Sequence, residues 1–240
     1  MPRPRTVTPE LPSEIGVHDG LAYSLWLPKR PRGGVVVLHG AGSCKENHHD
    51  FARAALGADL AALAFDQRGH GESAGPMDGR AIEDITQMAA LLRASMGAPD
   101  HARIALRGSS MGGYLALVSA APVGAAAVVA ICPASAAGLR RGLRDGRFDF
   151  PADETALMAF LDAHDPRDAI AALDVPVLLL HAEGDEQVPI QHSRELAELT
   201  GSPRSRLIAV PGGHHRSVQH DPDLQAVSLR FIERAFSGRA

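Results

Sequence analysis

Arg103-Ile104-Ala105-Leu106-Arg107-Gly108-Ser109-Ser110-Met111-Gly112-Gly113-Tyr114-Leu115-Ala116-Leu117-Val118 is the stretch whose reading decides the fold. An apolar run with strand character, Arg103 to Leu106, leads in, and an Ala/Leu-rich helical run leads out. Between them Gly108-Ser109-Ser110-Met111-Gly112 fits G-x-S-x-G, a serine on a tight strand-to-helix turn with its hydroxyl exposed. Of the two serines only Ser110 has glycine on both sides at a spacing of two. Glycine is needed at both positions because such a turn packs its backbone against strand and helix and leaves no room for a side chain. The helix that follows points free N–H groups at the serine. Ser110 is the candidate nucleophile, set against the plainer expectation of a serine capping a helix.

Outward from this turn the pattern alternates. Gly34 to Leu38 is a continuous β-branched run with the character of a strand buried on both faces. It is followed by a helix over 47–56, a strand over 61–65, a helix over 81–96 and a strand over 103–106. Then come a helix over 112–120, a strand over 126–131, a strand over 175–180, a helix over 190–199, a strand over 206–210 and a helix over 223–236. Residues 14–27 look like a hairpin turning at His18-Asp19-Gly20. Strand-helix alternation means a mainly parallel twisted sheet with helices on both faces, whose site lies at the carboxyl ends of the strands. Residues 134–172 interrupt it and are expected to form a short helical cap. Residues 1–13 are proline-rich and expected to be mobile, leaving 14–240 as one domain.

Composition excludes several function classes. The chain has 240 residues, 45% apolar and 22% charged, with a formal net charge of −4, so no nucleic-acid partner is expected. Cys44 and Cys132 form no CxxC pair, and reduced, buried thiols in a cytoplasm are the expectation. The N-terminus is basic but is followed by Pro and Glu and lacks the apolar core of a signal peptide. Met111 to Leu139 carries no charged residue, yet Pro122, Gly124 and Pro133 break it, so a buried helix, a loop and a buried strand are expected rather than a membrane span.

Four further signals sit at strand ends. His39-Gly40-Ala41-Gly42 is a glycine-rich loop in which the N–H of Ala41, with that of Met111, would form an oxyanion hole; His39 itself reads as a structural brace. Asp66-Gln67-Arg68-Gly69-His70-Gly71-Glu72-Ser73 looks like a tight loop held by its own Asp/Arg pair. His181-Ala182-Glu183-Gly184-Asp185-Glu186 supplies carboxylates for orienting a histidine, Asp185 first and Glu183 behind it. Gly212-Gly213-His214-His215 lets a loop fold back so that one imidazole serves as general base, with the two histidines left open.

With its order of nucleophile, acid and base, the sequence resembles the α/β-hydrolase superfamily of serine esterases, lipases and peptidases over residues 15–237. The resemblance implies the α/β-hydrolase fold and a Ser110-Asp185-His215 triad, since the histidine usually closes G-x-x-H. The acid loop usually reads H-G-x-x-D-x-x-V, and Ala182 stands here where the glycine would be. The D-x-R-G-x-G-x-S signature is intact, and the oxyanion loop lacks the three-glycine run of the hormone-sensitive-lipase branch. It further implies a hydrolase of small-molecule carboxylic esters working through an acyl-enzyme, with thioesters, small amides and acyl transfer as alternatives.

His48 and His49 are expected as solvated residues at a helix start, and no metal or cofactor is expected. Arg140, Arg141, Arg144 and Arg147 read first as a solvated helix face and second as an attraction for an anionic substrate. Phe148, Phe150, Leu157, Met158 and Phe160 are expected mainly to pack the cap. The oligomeric state stays open, a homodimer included.

Overall fold

The computed structural model describes residues 9–97 and 102–238; residues 1–8 of the segment expected to be mobile lie outside them. Ser13, at the end of that segment, donates its N–H to Leu25 O at 2.7 Å.

Eight strands form one sheet in the order β1-β2-β4-β3-β5-β6-β7-β8. They are β1 (Glu14–His18), β2 (Leu21–Trp26), β3 (Gly34–Leu38), β4 (Ala61–Phe65), β5 (Ile104–Ser109), β6 (Ala127–Ile131), β7 (Val177–Ala182) and β8 (Arg206–Val210). β1, β2 and β4 pair antiparallel and every other pairing is parallel. The helices are α1 (His49–Gly57), α2 (Ala81–Ser95), α3 (Met111–Val123), α4 (Ala136–Arg144), α5 (Glu154–Ala163), α6 (Pro166–Ala171), α7 (Ile190–Leu199) and α8 (Pro222–Ser237).

Side chains alternate along each strand between two apolar layers. Val35 and Val37 join Phe51, Ala55, Leu229 and Ile232 of α1 and α8, whereas Val36 and Leu38 join Ile85, Leu92, Tyr114 and Leu117 of α2 and α3. Each such fully buried side chain contributes about 1.5–3 kcal/mol, which is why β3 carries valine at three successive positions. α3 is buried all round from Met111 to Ala120, so its uncharged sequence answers to the protein interior. Among the described residues no helix is long and apolar enough to cross a membrane.

Several boundaries differ from expectation, β5 running on to Ser109 and α1 starting at His49 among them, and in β7 and α3 the reasons are local. Pro176 has no N–H to offer a ladder, so β7 begins at Val177 and runs on through His181 and Ala182. α3 starts at Met111, directly after Ser110, and continues past Pro122 until Gly124 caps it in the left-handed region. The interruption expected over 134–172 holds α4, α5 and α6. It is tied down by Tyr114 Oη donating to His164 O at 2.8 Å and by the Phe150 ring lying 4.2 Å from that of His70.

The chain runs from β3 outward to β4 and then returns past β3 to β5. The loops leaving β3 and β5 therefore open side by side at the point where strand order reverses, and that is where an open parallel sheet places its site.

Candidate active site

Ser110 sits at φ 54°, ψ −119°, between β5 and α3. A serine in that region costs about 1–3 kcal/mol, and the surroundings enforce it. A Cβ on Gly108 would overlap Gly112 O, and one on Gly112 would overlap Leu38 O and fall 2.6 Å from His39 O. Both glycines of the motif are therefore fixed by backbone, which cannot move aside as a side chain can. Ser110 N donates to Ile131 O at 2.9 Å, and Ser110 O accepts from Ala134 N at 3.0 Å. Met111 opens α3, so its N–H has no intrahelical acceptor.

Gly40 approaches so closely that its Cβ would stand 3.3 Å from Ser110 Cβ. Ala41 follows, held by clips on both sides. His39 Nδ1 donates to Gly40 O at 2.8 Å while its Nε2 accepts from Gln67 N at 3.0 Å. His70 does the same in the other direction, with Nδ1 against Arg68 O at 3.0 Å and Nε2 accepting from Gly42 N at 3.1 Å. An imidazole that both donates and accepts must be neutral. Burial, helped by the neighbouring His70, pushes His39 down to about 4, and burial lowers His70 as well. His39 is thus the brace the sequence led one to expect, and His70 is a second.

The Asp66 to Ser73 loop is tight, but Asp66 and Arg68 do not pair with each other. Arg68 forms a fork with Asp84 of α2, at 2.9 Å from Nη2 to Oδ1 and 2.9 Å from Nε to Oδ2. Asp66, fully buried, accepts from Lys45 N at 2.7 Å, Lys45 Nζ at 2.8 Å and Glu72 N at 3.0 Å. An aspartate and an arginine two residues apart in sequence thus take different partners, Arg68 on α2 and Asp66 in the loop after β3.

Asp185 and His215 meet. His215 Nδ1 donates to Asp185 Oδ2 at 2.7 Å, and Asp185 Oδ1 accepts from Gln187 N at 2.8 Å and Val188 N at 2.9 Å. Burial opposes the charge on Asp185, but the bonds from His181, His215 and these two backbone N–H groups outweigh it and hold the carboxyl well below the usual range. His181 is locked behind it, with Nδ1 2.7 Å from Ser193 Oγ and Nε2 2.9 Å from Val188 O. The acid and histidine loops are zipped together beyond β7 and β8, where Gly184 N donates to Gly212 O at 2.9 Å and a Cβ on Gly184 would overlap Gly213 O. His214 is exposed, and its Nδ1 accepts from Arg216 N at 3.3 Å. Glu183 forms an ion pair with Arg194 at 3.5 Å, away from the imidazole.

Ser110 and His215 line one cavity of about 680 Å³, together with Gly40, Ala41, Leu139 and Phe148. Of the bulky apolar group in the cap, Leu157 and Phe160 are buried in the core, while Phe148 faces this cavity.

Two findings had no sequence signal. Cys132, buried and at φ 43°, brings its sulfur to within 4.8 Å of ligand atoms of both Asp185 and His215, and burial pushes its thiol up to about 12. His48 is buried rather than solvated and stacks on His220, and His49 packs edge-on against Trp26. The turn Lys45–His48 tucks the first imidazole inward ahead of α1.

Residues 29–163 match the family model described as Serine aminopeptidase, S33. The chain is 27% identical to the monoacylglycerol lipase of Mycolicibacterium smegmatis, over 86% of this chain and 89% of that protein. Among solved structures it superposes on a monoacylglycerol lipase of Paleococcus ferrophilus with a TM-score of 0.68 at 21% identity, covering 90% of this chain and 98% of that one. It also superposes on an esterase of Pyrococcus furiosus with a TM-score of 0.70 at 22% identity, covering 93% and 89%. With strand order, turn and loops already in agreement, the chain belongs to the Serine aminopeptidase, S33 family within the α/β-hydrolase superfamily.

Proposed function

We propose that the protein is a serine hydrolase that cleaves carboxylic esters of small or medium acyl groups through an acyl-enzyme. The observation that carries this is the 2.7 Å bond from His215 Nδ1 to Asp185 Oδ2 at the wall of the cavity that Ser110 also lines. A carboxylate accepts only, so Nδ1 must hold the proton and Nε2 is left as the basic nitrogen. In the reaction Nε2 takes the Ser110 proton as Oγ attacks the ester carbonyl. The N–H groups of Ala41 and Met111 receive the oxyanion, and Asp185 stabilises the imidazolium. His215 then gives its proton to the departing alkoxide, and water repeats the sequence to release the acid.

Ester chemistry is favoured over peptide chemistry by the charge of the cavity. An aminopeptidase must hold a protonated α-amino group, whereas the charged lining is Arg141, Arg147, Arg216 and Glu186, of the wrong sign on balance. The similar proteins described as monoacylglycerol lipases and as an esterase support the same choice. The test is hydrolysis of p-nitrophenyl esters from acetate to laurate by the native protein and by Ser110→Ala side by side. Turnover that vanishes in the variant is expected; equal rates in both would end the proposal.

A further inference from the structure

Charge is unevenly placed in this molecule. The chain carries 24 Lys and Arg against 28 Asp and Glu, yet three of the four charged side chains lining the cavity are arginines. They come from different elements. Arg141 stands in the last turn of α4, Arg147 in the segment after it, and Arg216 directly follows His215.

Their pairing separates structure from site. Arg140, one residue from Arg141 and about 100° away around the helix, is occupied by the cap itself through Asp162 at 2.7 Å and Leu161 O at 3.2 Å. Arg147 is shared with Asp145 at 3.0 Å. Arg141 and Arg216 have no ion-pair partner among the described residues. Glu186, the single acidic lining residue, has one carboxylate oxygen 3.4 Å from His215 N.

An apolar wall adjoins the cations. A Cβ on Gly142 would stand 2.5 Å from the Phe148 ring, so that ring, which directly follows Arg147 in sequence, lies on α4 at the residue after Arg141. Leu139 lines the cavity beside it.

Taking the proposed esterase chemistry as its basis, we infer that the ester this cavity takes carries a carboxylate, bound by Arg141 and Arg216, with its apolar body against Leu139 and Phe148. A guanidinium presents two parallel N–H donors that match a carboxylate. Two such groups beside an apolar wall select a short amphiphile with one anionic end.

The experiment compares charged and neutral members of matched pairs. On the acyl side the pair is mono-p-nitrophenyl glutarate and its methyl ester; on the alcohol side it is 4-acetoxybenzoate and its methyl ester. Rates in Ser110→Ala are subtracted as background. In at least one pair the native protein is expected to favour the charged member in kcat/KM by about tenfold, an effect in the range of a charged hydrogen-bonded pair at a half-open site. Arg141→Gln and Arg216→Gln should each lower that ratio, Arg141→Glu should invert it, and 0.5 M salt should reduce it in the native protein. Free glutarate should slow fluorophosphonate labelling of Ser110 in the native protein and do so less in Arg141→Gln. A ratio at or below one in both pairs, a ratio unchanged by the arginine variants, or labelling indifferent to glutarate overturns the inference while leaving the esterase intact. Absence of both turnover and labelling would instead remove the serine-hydrolase chemistry on which it rests.

Discussion

Replacing Lys45 by methionine tests whether a buried ion pair holds the loop that carries Ala41. The Lys45 and Asp66 side chains are 1% and 0% exposed, and Nζ lies 2.8 Å from Asp66 Oδ2. Nζ also meets Glu46 at 2.8 Å and Glu72 at 2.7 Å, but those carboxylates are 53% and 72% exposed and simply return to water. Asp66 cannot. In Lys45→Met it keeps two backbone donors, Lys45 N and Glu72 N, and loses the one cation paired with it among the described residues. Removing one partner of a buried pair costs about 3–5 kcal/mol, and the retained donors argue for the lower end. At about 2–4 °C per kcal/mol for a domain of this size, the melting temperature should fall by about 6–12 °C, read by circular dichroism. Lys45→Met/Asp66→Asn should recover more than half of the loss, because no unpaired charge remains. The pH dependence has a defined sign. His39 and His48, lowered by burial to about 4 and about 3, make the native fold lose stability as pH drops below about 6.5, because the unfolded chain takes up protons there that the folded one does not. A loss under about 1 kcal/mol, or a double variant no better than the single, would refute the clamp.

His215→Ala should lower kcat/KM by at least about 10³-fold, the scale of a triad knockout, while His214→Ala should stay within about threefold; equal losses would mean that the wrong imidazole is assigned. Gly112→Ala places a Cβ on Leu38 O and His39 O, so it should cost about 3 kcal/mol in a denaturant melt and slow fluorophosphonate labelling. Gly57→Ala, where the added Cβ meets nothing within 4 Å, is the control and should be neutral or slightly stabilising.

What was legible in the sequence was whatever the backbone itself demands. The parallel sheet shows in β3 and β7 because strands buried on both faces must be apolar at consecutive positions. The turn at Ser110 shows because Gly108 and Gly112 are excluded from bearing side chains by atoms only a few residues away or on the adjoining strand. The order of acid and histidine loops shows because each follows directly on a strand. The partners of Asp66 and Arg68 were not legible, because they depend on which elements flank the loop after β4, and a hydrogen bond between Lys45 and Asp66 leaves no spacing rule behind. His48 was misjudged for a related reason: a polar residue at a helix start is solvated only if the preceding turn leaves it outside.

The arginines of α4 show the same limit at the site itself. In sequence Arg140, Arg141, Arg144 and Arg147 form one basic cluster, and a cluster of that kind reads as a solvated face. Once Leu139 is buried, the phase of the helix is fixed, and residues one apart no longer share an environment. Arg140 is turned to Asp162 of α5, and Arg141 to the cavity that Ser110 and His215 line. Whether a charge serves the fold or the substrate is therefore decided by about 100° of helical rotation, set by a leucine. The cap is held to α3 through Tyr114 and His164, and α3 begins at the residue after Ser110. Arg141 is consequently carried on an element anchored to the same helix that opens beside Ser110, and Arg216 directly follows His215, so on the proposed reading the distance from the carboxylate of a bound ester to its scissile carbonyl is set by two elements of the fold. On whichever side of the ester the charged member is preferred, a series of increasing length, malonate to adipate hemiesters for the acyl side or acetoxy acids from two to five carbons for the alcohol side, should accordingly show one sharp optimum in kcat/KM, whereas arginines acting only as a diffuse field would give a flat profile.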